Sequence, residues 1–182
     1  VLRVGLVFLL LLTAIAFANA VSTTVNVRED HDAFARQLSE AMTLMRGGQS
    51  EDALEILQEL ALAEYAPAEA QLGLMYANGL GVEVDQPVAV IWFYRAARQG
   101  LPSAQLALGA MLAEGRGVSA DMEGAYMWLT LAEKRSEGRV SARAEELSTI
   151  VKNGLSEEEI AAAESRVQAW RPNRPLPLNS RY

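Results

Sequence analysis

The sequence predicts an all-α chain of stacked helical hairpins, and three observations lead there. Ala68–Gln99 and Ala104–Arg135 align without a gap at an offset of 36 residues. Their identities fall at structurally demanding positions: Leu72/Leu108, Gly73/Gly109, Gly79/Gly115, Gly81/Gly117, Asp85/Asp121 and Trp92/Trp128. A fixed period of this length marks stacked supersecondary units, each unable to bury its apolar face alone. Outside the echo, apolar residues recur at the three- and four-residue spacing of amphipathic helices. Finally, the chain contains no cysteine, so helix packing must supply the stability that a disulfide framework would give an exported domain.

The elements follow in order. Residues 1–20 carry a single charge, Arg3, an apolar run at Leu6–Phe17 and the small-x-small signal Ala18-Asn19-Ala20. This pattern is that of a secretory leader cleaved after Ala20, since the apolar run is short for a bilayer span. An uncleaved N-terminal anchor is the alternative; a cysteine-linked lipid anchor is excluded. A linker at 21–30 leads to a first, degenerate hairpin over 31–66. Its first helix, Asp32–Arg46, carries Phe34, Leu38, Ala41, Met42 and Met45 at helical spacing and stops at Gly47-Gly48. Ser50 is expected to cap the second, Glu51–Glu64.

Two repeats are expected at 67–102 and 103–138. Pro67 suits a first helical turn, where no amide bond is lost. A glycine inside a helix costs about 1 kcal/mol against alanine, so Gly73 and Gly109 imply a neighbouring helix at close range, with Ala41 as their small counterpart. Gly79 and Gly115 suit the left-handed residue that ends a helix. Val82 and Val118 are expected to tuck under the turn, with Asp85 and Asp121 as N-caps of helices at about 86–99 and 122–135. C-terminal capping helices occupy 139–171, the second opened by the capping box Ser156-Glu157-Glu158-Glu159. A Pro-rich tail fills 172–182.

The central units resemble Sel1-like repeats, relatives of the tetratricopeptide repeat. The resemblance rests on Ala-x-x-x-Leu-Gly-x-Met-Tyr at 68–76, Gly-x-Gly-Val at 79–82, Asp85, Ala89, Trp92 and Ala96-Ala97-x-x-Gly at 96–100. The second unit departs from that pattern at Leu112 and Glu133. The resemblance implies a right-handed solenoid of antiparallel helix pairs that serves as a protein-interaction scaffold, here of the bacterial exported type. In such a fold the first helix of each pair lines the concave side. With Ala41, Gly73 and Gly109 in register, that side carries Leu38, Met42, Met45, Leu74 and Leu106, with Asn78 and Glu114 at the rim. An apolar stripe of this kind receives an amphipathic helix or extended peptide.

The expected function is therefore non-catalytic binding of a protein or peptide in the cell envelope, with the chain periplasmic or secreted. No cofactor and no metal are expected: His31 is the only histidine, too little for a zinc site or a Ser/His/Asp triad. The Gly-x-Gly connectors follow helices rather than strands, which argues against a phosphate cradle. A formal charge of −7, more negative still without Arg3, disfavours nucleic acid and anionic lipid. Two alternatives stand: a cell-wall glycan module using Phe93 and Tyr94, and, less favoured, an enzyme acting on cell-wall material. Family members associated with β-lactams resemble cysteine-rich repeats, unlike this chain.

Overall fold

A computed structural model describes residues 30–173, which form eight helices. The leader 1–20, linker residues 21–29 and tail residues 174–182 lie outside the described residues. The first helix, α1, covers 30–46. It is followed by α2 (Ser50–Leu62), α3 (Ala66–Asn78), α4 (Gln86–Arg98), α5 (Pro102–Glu114), α6 (Met122–Lys134), α7 (Gly138–Lys152) and α8 (Glu157–Ala169). Helices α3 and α4 pack as one antiparallel pair and α5 and α6 as the next, with α4 against α5 between them. The fold is an all-α solenoid of stacked helix pairs. No helix among the described residues is long and apolar enough to cross a membrane.

The period reaches further than the echo visible in the sequence. Helices α3, α5 and α7 start at 66, 102 and 138, and α2, α4 and α6 at 50, 86 and 122. The first hairpin keeps this step in α2 but turns more tightly, through 47–49 rather than the 79–85 of the next unit. Two core clusters result. The first gathers Ala41, Leu57, Leu60, Leu72 and Met75; the second runs from Ala89 through Trp128 to Trp170. Each fully buried Leu or Met contributes about 1.5–3 kcal/mol.

Within a pair, the glycine sets the separation. A Cβ on Gly73 would lie 2.8 Å from the Phe93 ring, and one on Gly109 would lie 2.7 Å from Leu129 Cγ. Phe93 and Leu129 are themselves one period apart, so each unit seats a large side chain of its second helix over a bare α-carbon of its first. Between pairs, the connector glycines do the same for backbone. A Cβ on Gly81 would fall 2.8 Å from the Ser50 carbonyl carbon, and one on Gly117 would collide with that of Gln86. Ser50 and Gln86 also stand one period apart.

That contact corrects the expected cap. Ser50 is the first residue of α2, beneath Gly81; Gln49 takes the cap position without a side-chain cap bond, its amide donating instead to Asp52 Oδ2 at 3.1 Å. The other caps form. Asp85 accepts from the Val88 amide at 3.0 Å and Asp121 from the Gly124 amide at 2.9 Å. Gly79 and Gly115 adopt the left-handed conformation at φ 71 and 67. Ser156 and Glu159 complete the reciprocal capping box, and the two Ser156 hydrogen bonds hold the Glu159 carboxyl below its usual range.

At the C-terminal end, α7 and α8 both lie on α6, and α8 packs there rather than on α7. Helix α6 is consequently buried from Gly124 to Ala132 without interruption. Helix α8 offers Ala163 as its one fully buried side chain, with Ile160 and Val167 half-buried against the same core.

The glycine seam gives a direct test. Overpacking at Gly109 costs about 1–3 kcal/mol, against about 1 kcal/mol of helix propensity gained by alanine. The Ala125 carbonyl oxygen, 3.2 Å from the new Cβ, limits relief by side-chain rotation. Gly109→Ala is expected to lower the unfolding free energy by about 1 kcal/mol net, measured by denaturant titration followed by circular dichroism. Gly47→Ala, whose Cβ meets nothing nearer than 3.4 Å, serves as the neutral comparison. A gain in stability for Gly109→Ala would mean the seam is not tight.

Candidate functional site

The side of the stack formed by the first helices carries the expected stripe, but unevenly. Met42 and Leu74 are 41% and 40% exposed, the same register in successive units. Leu38 and Met45 pack on the first core cluster and Leu106 on the second, each partly buried. At the rim, Asn78 turns its amide onto its own helix, donating to the Leu74 carbonyl at 2.8 Å. Glu114 accepts from Arg116 Nε at 2.5 Å. Of the seven residues, Glu114 lines a cavity.

That cavity, about 380 Å³, lies where α7 meets α5 and α6, lined by Ala110, Glu114, Met122, Leu129, Leu147 and Ile150 among others. One period earlier, Phe93 and Gln86 stand in place of Leu129 and Met122; Gln86 spans to the Ala77 carbonyl at 2.8 Å. The smaller Leu129 and the unbranched, unpaired Met122 leave apolar room. Ile150 stands at its mouth, 61% exposed. The contribution of α7 went unread in the sequence, although Leu147, Ile150 and Val151 form an i, i+3, i+4 stripe there.

A second, polar region lies along the edge where each second helix turns into the next first helix. Glu69, on the first turn of α3, is 1% exposed. Arg95 Nε donates to one of its oxygens at 2.8 Å and Gln99 Nε2 to the other at 2.7 Å. Arg95 also donates to the Ala61 carbonyl at 3.2 Å. One period later Gln105 performs this job alone, donating to the Ala97 carbonyl at 3.2 Å. Both arrangements add a second donor to a last-turn carbonyl that already accepts a turn amide, that of Glu64 on Ala61 at 3.1 Å and that of Gly100 on Ala97 at 3.0 Å. Burial pushes the Glu69 carboxyl above its ordinary value; Arg95 and Gln99 pull it back, and neighbouring Glu64 adds to the rise.

Two adjoining clefts open on this edge. One, about 290 Å³, is lined by Glu64, Glu69, Arg95, Arg98, Gln99 and Asn173. The other, about 460 Å³, shares Glu64 and Gln99 and adds Asp30, His31, Phe34 and Tyr65. Glu64 holds φ 56, where Gly100 stands one period later at φ 96. A non-glycine residue there costs about 1–2 kcal/mol.

The aromatic platform proposed for glycan does not form. Phe93 is 3% exposed, seated over Gly73. Tyr94 is half-buried, its ring edge-on to Trp128 at 6.2 Å between centroids. His31 stands edge-on to Tyr65 at 5.6 Å. Among the described residues no group of three or more histidine or carboxylate side chains is placed to hold a metal ion.

Comparison with known proteins agrees with this geometry. The Sel1 repeat family model matches residues 66–101 and 102–136, the units α3–α4 and α5–α6. The chain is similar to a protective antigen present in uropathogenic Escherichia coli strains that displays an SLR fold. The identity is 26% over 75% of this chain, with a TM-score of 0.69, and the chain spans 29% of that protein. It is also similar to a Sel1 repeat protein from Oxalobacter formigenes. Here the identity is 30% over 64% of this chain and 91% of that one, with a TM-score of 0.56. No curated protein matches.

The buried carboxylate makes stability depend on pH with a definite sign. The folded chain holds the Glu69 proton after the unfolded chain has released it near 4.5. This group's contribution is therefore full below that value and is lost as pH rises through the folded pKa. Relative to Glu69→Gln, the parent should lose stability as pH rises above 4.5, read from denaturant midpoints of both proteins. A relative gain would show that the Arg95 charge, not burial, dominates.

Proposed function

The chain belongs to the Sel1 repeat family, and from that premise we propose that it is a non-catalytic scaffold of the bacterial cell envelope. Its partner is a protein or peptide laid along the first-helix face. The observation that carries this reading is the exposed apolar register on that face, Met42 and Leu74, leading to the 380 Å³ cavity beside Glu114 and Ile150.

The stripe offers graded contacts. Leu38, Met45 and Leu106 form its floor, already held by the core, so they lose little conformational entropy when a partner arrives. Met42 and Leu74 stand higher and meet the partner directly, and methionine adapts to irregular shapes. The cavity accepts one apolar side chain as an anchor, while Asn78 and Glu114 set orientation at the polar rim. The leader-like pattern of residues 1–20 supports an envelope location. With Phe93 buried, no observation favours the glycan reading.

The test uses a photo-crosslinking residue placed at Ile150 or, for comparison, at Ile91, 58% exposed on a second helix. Capture of one envelope protein from Ile150 but not Ile91 is expected. Leu74→Glu should weaken that capture about tenfold or more, the scale of losing a well-buried apolar contact, with helicity unchanged. Equal capture from both positions, or capture indifferent to Leu74→Glu, would overturn the assignment.

A further inference from the structure

We propose that the edge cleft beside Glu64 is a second docking site, separate from the first-helix face. Its occupant is a short peptide segment bearing arginine or lysine next to proline or an aromatic residue.

The chain itself shows what this edge accepts. Trp170–Asn173, the segment leaving α8, runs along it one period further on. A Cβ on Gly100 would lie 3.3 Å from the Trp170 indole and 3.7 Å from Pro172 Cγ. The Arg135 guanidinium stands 4.6 Å from the indole centroid. The Asn173 amide donates to the Arg98 carbonyl at 2.9 Å. A segment that turns at Pro172 and Asn173 is thus held by ring packing against a bare α-carbon, by a cation over an aromatic face, and by a backbone bond to a helix-end carbonyl.

Beyond Asn173 the same edge continues as the two clefts that share Glu64 and Gln99. In the larger of them, which Arg95 and Arg98 do not line, the polarity reverses. Where the Trp170 site has a cation from the scaffold and an aromatic ring from the segment, the cleft supplies rings from Phe34 and Tyr65 and carboxylates from Asp30 and Glu64. Neither carboxylate takes part in a salt bridge among the described residues. The complementary occupant brings the cation. Its methylene stem lies on the rings and its charge sits between Asp30 and Glu64.

The backbone supplies the independent observation. Glycine fits this turn, as Gly100 does, yet the chain carries a carboxylate there at φ 56. Strain retained where relief is one substitution away points to a use for the side chain. Glu69, directly behind, keeps Arg95 and Gln99 fixed, so the cleft wall is rigid before any peptide arrives.

The experiment uses the full chain and fluorescence anisotropy with a labelled octapeptide, Gly-Pro-Arg-Trp-Pro-Arg-Pro-Gly, and its twin with glutamate for both arginines. The parent should bind the arginine probe about tenfold or more tighter than the twin. Glu64→Gly should weaken that binding by a similar factor while its melting temperature equals or exceeds the parent's. This pairing separates a lost contact from a damaged fold. Leu74→Glu should leave probe binding unchanged, so failure here is distinguishable from failure of the scaffold reading. Equal affinity for the two probes, or full affinity in Glu64→Gly, would overturn the proposal. So would binding that emerges only when residues 174–182 are removed, which would assign the cleft to the chain's own tail. Concentration-dependent self-association abolished by Glu64→Gly would assign it to a second copy and likewise overturn it.

Discussion

The stack depends on how closely the two helices of a unit approach at Gly73 and Gly109. With a Cβ at either position the partner side chain, Phe93 or Leu129, has nowhere to sit. The glycine sacrifices about 1 kcal/mol of helix propensity, and the interlocked apolar side chain returns more than that by burial. Close approach then fixes the angle between the helices, which fixes where the connector leaves. The second connector glycine meets the preceding unit's backbone at a position one period removed from its counterpart. One packing decision inside a unit therefore propagates into the step between units, as expected for a chain whose stability is a sum of neighbour contacts.

The edge of the stack obeys a different constraint. Each second helix ends near a carbonyl, Ala61 or Ala97, that accepts one turn amide and keeps a second acceptor position, and the next unit covers it. Filling that second position requires a donor organised from a fixed place, the first turn of the following helix. Gln105 meets the requirement as a neutral amide, whereas Glu69 meets it through Arg95. The second solution is electrostatically dearer, since a carboxylate must leave water. It also brings a guanidinium and a second amide to the surface of a cleft, which the neutral solution does not.

The sequence made the central units legible because their demands are local and repeated. Gly79, Asp85, Gly115 and Asp121 announce helix ends whatever the surrounding packing, and the Trp92/Trp128 pair sets the register. Ser50 misled because cap chemistry is also local, while its displacement into the helix comes from Gly81, thirty-one residues away. The apolar cavity was hidden for a related reason. It depends on Leu129 standing where a ring stands one unit earlier, and on α7 returning to the first-helix face. Glu69 was equally opaque: a glutamate in a first turn ordinarily faces solvent and favours the helix dipole. Only the approach of Arg95 and Gln99 from the next helix buries it. Phe93 and Tyr94 show the same limit, since adjacent aromatic residues on a helix point to different neighbours.

A repeat protein defines its own reference state, and departures from it carry information. Where units agree, as at Gly73 and Gly109 or Asp85 and Asp121, the residue answers a demand of stacking. Where they disagree, stacking has been satisfied in two ways and the difference needs another cause. Three disagreements lie at openings in the surface: Leu129 for Phe93, Glu69 for Gln105, and Glu64 for Gly100. The first removes volume from a core and leaves an apolar cavity; the second adds charge where an amide suffices; the third adds strain where glycine relieves it. Each is unfavourable for folding alone, and in a marginally stable domain 1–2 kcal/mol is a substantial fraction of the whole. Their coincidence with the apolar cavity and the edge clefts is what the two proposed binding roles rest on, since each departure stands at an opening rather than within the seam between units.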